Sequence, residues 1–157
     1  MDALEKLLAI EEIHQVKARR CRAVDQKDWE LYIDCHTPDC RSNAAGPGGR
    51  VGAKAMAEGV AAQLAGRTSV HHVHSPEIEI TSETTAKGIW AMEDMLWWEA
   101  KGEQRWSHGY GHYYETYEKR DGRWLISSRE LRRTRGGRRR GRQTPRLNAH
   151  PRLPRAI

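Results

Sequence analysis

A chain of 157 residues, 38% of them hydrophobic, has room for one hydrophobic core and not for two ordinary ones. Its formal charge of +6 is unevenly placed: Arg132 to Ile157 holds ten arginines and no Asp, Glu or Lys, so residues 1–131 carry 6 − 10 = −4. The basicity therefore belongs to an appendage and not to the protein as a whole, no apolar run reaches the eighteen residues of a membrane span, and three cysteines without a secretory leader fit a reduced, cytoplasmic setting.

From Asp2 to Val24 there is no Gly or Pro, and Leu4, Leu7, Leu8, Ile13, Val16 and Val24 recur at helical intervals, which predicts a long amphipathic helix. Asp2 and Glu5 stand in the capping-box relation, and Lys17, Arg19, Arg20 and Arg22 load the C-terminal half in the sense the helix dipole favours. A short second helix is expected over Lys27 to His36, stopped by Thr37-Pro38-Asp39. The glycines of residues 45–49 mark a loop, and Ala53 to Leu64, with Met56, Val60 and Leu64 four apart, predicts a third helix.

After residue 69 the hydrophobic period becomes two-fold. Four strands are expected, over Val70–Ser82, Ala86–Trp98, Gln104–Lys119 and Arg123–Arg133, joined by short turns of which Asp121-Gly122 is the strongest hairpin signal. Three helices followed by such a meander is an α+β arrangement, a strongly curved antiparallel sheet packed on N-terminal helices, because only a sheet curled over the helices buries both apolar faces. Six tryptophans and five tyrosines, with no phenylalanine, place amphipathic rings mainly on the strands.

Several segments resemble the SnoaL-like family of the nuclear transport factor 2-like superfamily: Cys21-Arg22-Ala23-Val24-Asp25 with Asp28-Trp29, Thr37-Pro38-Asp39, Val70-His71-His72 running into Ser75-Pro76-Glu77-Ile78-Glu79-Ile80, and Tyr117 through Ile126. They occur in order over about 130 residues. The resemblance implies a cone-shaped fold used by scytalone dehydratase, bile-acid dehydratase, hexachlorocyclohexane dehydrochlorinase, polyketide cyclases and ketosteroid isomerase, mostly without metal or cofactor, and often as homodimers or homotrimers. In the dehydratase and dehydrochlorinase branch an aspartate ending the first helix orients a histidine on the first long strand. The matching positions are Asp25 and His71.

A neutral imidazole abstracts a proton well only in the right tautomer, which a carboxylate on its other nitrogen fixes. Strict alternation puts His71 opposite His72 and His74, but a bulge at Ser75-Pro76 would change the facing downstream, so alternation alone leaves His72 as a reserve base. The trio His71, His72 and His74 also admits a metal reading, although no carboxylate or cysteine lies at short ligand spacing from it. His112, Tyr114 and Trp90, if inward-facing, could hydrogen-bond and stack on a carbonyl-bearing ring, and Asp94, interrupting an apolar strand, is a second acid/base candidate. Arg20 and Arg133 are expected to be exposed.

Residues 1–133 thus read as one domain and 134–157 as a disordered Arg/Gly/Pro-rich tail, the only part of the chain suited to nucleic acid. The function expected is a cofactor-independent lyase, dehydratase-like, or an isomerase working on a small apolar hydroxy-carbonyl, polyketide-like or steroid-like compound. The alternative is a ligand-binding or dimerisation module of the same fold without chemistry.

Overall fold

A computed structural model describes residues 1–44 and 49–140, with the side chains of 137–140 left out. Helix α1 (Ala3–Gln26) starts in the expected capping box: the Asp2 carboxylate accepts from Glu5 N at 2.8 Å and Glu5 accepts from Asp2 N at 2.6 Å. It ends at Lys27, whose left-handed backbone, φ 62°, turns the chain sharply. Asp28 caps the short α2 (Trp29–Asp34), and α3 (Ala53–Leu64) follows a positive-φ glycine, Gly52.

Six strands form one sheet in the order β2-β1-β6-β5-β4-β3, with β1 His36–Ser42, β2 Arg50–Val51, β3 Thr68–Ile80, β4 Thr85–Ala100, β5 Glu103–Arg120 and β6 Arg123–Arg140. The last four make the expected antiparallel meander. Lys101-Gly102 and Asp121-Gly122 have positive φ at both positions, the twist a two-residue hairpin needs. The sheet is curved and mixed, because β1 pairs in parallel with β6.

Three expectations need correction. Residues 37–39 do not merely stop a helix but belong to β1, whose pairing with a strand almost ninety positions away leaves no local signal. Lys17 and Arg20 do not serve the helix dipole: they are buried, and no basic residue lies in the last turn of α1. β6 does not end at Arg133 but runs to Arg140, because its backbone pairing with β5 requires no apolar side chains. The expected loop over 45–48 and the tail from residue 141 lie outside the described residues.

The core sits between the helices and one face of the sheet. Ile13, Val16 and Val24 of α1 and Met56 and Val60 of α3 pack against Ala86, Trp90, Met92, Tyr113, Tyr117 and Ile126, all at most 7% exposed. Strand alternation puts His71, Trp90, Asp94, Tyr113, Glu115 and Tyr117 on this inner face, and the intervening residues on the outer one.

Candidate active site

α1 and β3 meet where the helix ends. The Asp25 carboxylate accepts three hydrogen bonds there: from His71 Nδ1 at 2.7 Å, from the His71 backbone N at 2.8 Å and from Ser69 Oγ at 3.0 Å. Lys27 Nζ closes the cluster on Ser69 Oγ at 2.7 Å. Burial disfavours the Asp25 anion, but the His71 hydrogen bonds outweigh it and hold its pKa below the ordinary value. For His71 burial is the largest effect. It outweighs the Asp25 hydrogen bond, with Arg20 acting in the same sense as burial, and leaves the pKa below the usual 6.5. With Nδ1–H committed to Asp25, Nε2 is the nitrogen left with a lone pair.

Asp94 is the cross-strand register partner of His71 and lies on the same face, 6% exposed. It receives a bidentate pair from Arg133, Nη1 to Oδ1 at 2.8 Å and Nη2 to Oδ2 at 2.5 Å. Next along the register is Gly109. A Cβ there would collide with the Arg133 guanidinium and press on Asp94, so only glycine leaves the pair its place.

Deeper in the cone lies a network that sequence reasoning missed. Lys17 Nζ and the Tyr117 hydroxyl each donate to Glu115 at 2.5 Å, and Trp90 Nε1 donates to the Tyr117 oxygen at 2.8 Å. Burial pulls the Lys17 pKa down to about 8, against the attraction of Glu115. Arg20 and Arg129 join it, 2% and 5% exposed, around the ring of Tyr113. Nε and Nη1 of Arg20 are buried without a partner among the described residues. The signal was present: positions 13, 16, 17, 20 and 24 share one helical face, and Glu115 alternates with Tyr113 and Tyr117.

The structure thus brings together Asp25 and His71 and sets Asp94 beside them. It separates the other candidates. His72 is exposed on the outer face and bonds Glu93 at 3.3 Å; His112 and Tyr114 are outward too, the Tyr114 ring lying 4.1 Å from the Arg132 guanidinium. Trp90 faces inward, but its indole is committed to Tyr117 and to an edge contact with His14. Arg20 is buried rather than exposed. The bulge at Ser75 exists, with φ 48° and a register shift between His74 and Glu77, but it lies beyond His71 and does not alter its facing. Among the described residues no group of three His, Cys, Asp or Glu side chains is arranged to hold a metal. The thiols are buried and free, Cys35 and Cys40 being pushed by burial up to about 11 and about 12.

A depression of about 1180 Å³ lies away from the Asp25–His71 pair. It is a groove on the outer face, lined by Lys87, Ile89, Tyr114 and Thr116 on one side and by Arg41, Ser42 and Arg50 on the other.

A family model described as a SnoaL-like domain matches residues 5–130. The chain belongs to the SnoaL-like family. Among solved structures, this SnoaL-like chain superposes on a putative scytalone dehydratase from Novosphingobium aromaticivorans with TM-score 0.78 and 21% identity, covering 96% of this chain and 100% of that one. A hexachlorocyclohexane dehydrochlorinase of type 2 gives TM-score 0.80 at 16% identity, covering 94% and 99%. A Mycobacterium tuberculosis protein of unknown function gives 0.71 at 25%, covering 86% and 78%. The architecture is the nuclear transport factor 2-like cone.

Proposed function

We propose that this SnoaL-like domain is a cofactor-independent lyase or isomerase for a small, largely apolar hydroxy-carbonyl, polyketide-like or steroid-like compound, with His71 as base and Asp25 as the carboxylate that orients it. The reading rests on one observation, the 2.7 Å contact between Asp25 and His71 Nδ1 with the ring still 10% exposed. Its neighbours named above, a dehydratase and a dehydrochlorinase by their descriptions, fit elimination chemistry.

In the proposed step His71 Nε2 takes a proton from the carbon next to the substrate carbonyl. The imidazolium that forms is stabilised by Asp25, and the electrons move onto the carbonyl oxygen as an enolate. Arg20, whose charge reaches His71 and whose Nε and Nη1 lack partners among the described residues, supplies the positive charge an enolate needs in a dry site. The proton then leaves Nε2 either for a departing hydroxyl, releasing water, or for another carbon, giving an isomer. Incubating the protein with a panel of hydroxy-ketones in deuterated water tests this. Deuterium uptake or loss of one water should occur with the native chain and fall ~10²–10⁴-fold in His71→Ala; equal turnover by the variant refutes the assignment.

The outer groove favours a second reading, a module that holds a ligand or a second copy on that face without chemistry. Ligand-induced shifts at Ile89 and Tyr114, with none at His71, would select it.

A further inference from the structure

Two members of the cluster at the end of α1, Lys27 and Ser69, take no part in the step proposed above. Ser69 is 3% exposed and stands two residues before His71 on β3, so alternation puts both side chains on the inner face. Lys27 ends α1 in a left-handed backbone, φ 62°, that glycine or asparagine adopts with less strain. The backbone alone already closes the helix, through Lys27 N to Val24 O at 3.2 Å and Asp28 N to Ala23 O at 2.8 Å. The lysine side chain does something further: Nζ turns back over the helix end and donates to Val24 O at 3.1 Å and to Ser69 Oγ at 2.7 Å. An ammonium has donors only, so the Ser69 oxygen must accept from it. The single hydroxyl hydrogen is then left to point at Asp25 Oδ1, 3.0 Å away.

Proton placement follows from this chain of donors. Asp25 Oδ1 receives two hydrogens, from Ser69 Oγ and from His71 Nδ1, while Oδ2 receives the His71 backbone N–H. A carboxylate oxygen that accepts two hydrogen bonds has no lone pair left for a proton of its own. The hydrogen between Asp25 and His71 therefore stays on Nδ1. We propose that Lys27 and Ser69 are positioning residues for His71: the ammonium orients the Ser69 hydroxyl, the hydroxyl fills Asp25 Oδ1, and Nε2 is thereby kept as the basic nitrogen of the ring. The inference rests on the reading of His71 as the base. Without the ammonium the hydroxyl is free to turn its hydrogen to another acceptor, such as Val24 O, and Asp25 Oδ1 regains a lone pair that competes for the shared hydrogen.

The test is NMR of the full chain carrying isotope-labelled histidine, which reads the His71 tautomer without a substrate, set beside deuterium uptake by a hydroxy-ketone. Lys27→Gly separates the proposal from a mere helix-ending role, because glycine suits the left-handed backbone and only the ammonium is lost. At neutral pH the native ring should be in the Nδ1–H form, and the Nε2–H form should become measurable in Lys27→Gly and in Ser69→Ala. The His71 pKa should rise in both, since Asp25, relieved of a donor, holds the imidazolium more strongly; Arg20 and Asp94, which also act on the ring, are untouched. Deuterium uptake should fall about ten- to a hundredfold in each, the size of one hydrogen bond to a charged group, with kcat rather than KM carrying the loss. Lys27→Arg and Ser69→Thr, which keep the cation and the hydroxyl, should restore the native ring and most of the rate. A ring unchanged by Lys27→Gly and Ser69→Ala overturns the proposal while leaving His71 as the base, and so does a Lys27→Arg chain that behaves like Lys27→Gly. Native turnover in His71→Ala overturns it differently, by removing the base that the two residues are there to position.

Discussion

Two of the charged side chains that α1 presents to the sheet meet different surroundings. Lys17, in the middle of the helix, reaches Glu115 where both side chains are fully covered. Asp25, at its end, reaches His71 where 23% of the carboxylate and 10% of the ring remain open. The first pair has no room for a substrate and its partners are all protein groups, so it fixes how the helix sits on the sheet. The second is hydrogen-bonded as closely but stays partly open to solvent, which is what the proposed chemistry requires. Position along one helix thus separates a buried anchor from the candidate site.

The sharpest way to break that contrast is to remove one charge from each pair. Lys17→Met leaves Glu115 buried with its main cation gone and should cost about 3–5 kcal/mol in denaturant unfolding. Adding Glu115→Gln should recover a large part of the loss, since no bare anion then remains. A loss under about 1 kcal/mol in the single variant would mean that water or Arg129 replaces Lys17, and that the middle pair is not the anchor. His71→Ala should behave in the opposite way, with a small change in stability and a fall in turnover of at least about a hundredfold, equivalent to roughly 2.7 kcal/mol of transition-state binding. Melting and rate measured on the same preparation separate the two cases.

Gly109→Ala sharpens the boundary of the site with a smaller effect. The added methyl must displace the Arg133 guanidinium from Asp94, an overpacking expected to cost about 1–3 kcal/mol. Arg133→Gln in the same background should remove most of the penalty, because the atom in the way is then gone. An alanine variant as stable as the native chain would show that Arg133 swings aside freely and that its pair with Asp94 is not fixed.

The repeating elements were legible in the sequence and the polar interior was not. α1, α3 and the β3–β6 meander follow from apolar periods of 3.6 and 2, and their caps and turns from Asp2, Glu5 and Asp121-Gly122. β1 was invisible because its pairing with β6 is parallel and remote, and Thr37-Pro38-Asp39 carries local stop chemistry. Asp25 and His71 could be named from a resemblance, but choosing between His71 and His72 required the facing of β3. Lys17 and Arg20 share the apolar face of α1, but they read as ordinary solvated charges because the partner that makes their burial tolerable, Glu115, comes from a distant strand.

The mildest effect, and the one that tests the open pair most directly, is that of pH. His71 has a folded pKa below the 6.5 of the unfolded chain, so between those two values the unfolded state binds the extra proton. Its contribution to stability is therefore complete above pH 6.5 and is lost as the pH falls from there toward the folded value. Activity follows the same proton: kcat/KM should be flat at neutral pH and decline along one acidic limb centred below 6.5, since only the neutral ring can accept from substrate. Asp25→Asn removes the hydrogen bond and charge that raise the ring's pKa, so the limb should move to still lower pH while the plateau drops, the amide no longer enforcing the Nδ1–H tautomer. NMR titration of the His71 ring in both proteins reads the shift without a substrate. A higher pKa in the asparagine variant would show that Asp25 does not act on the ring as its 2.7 Å contact implies.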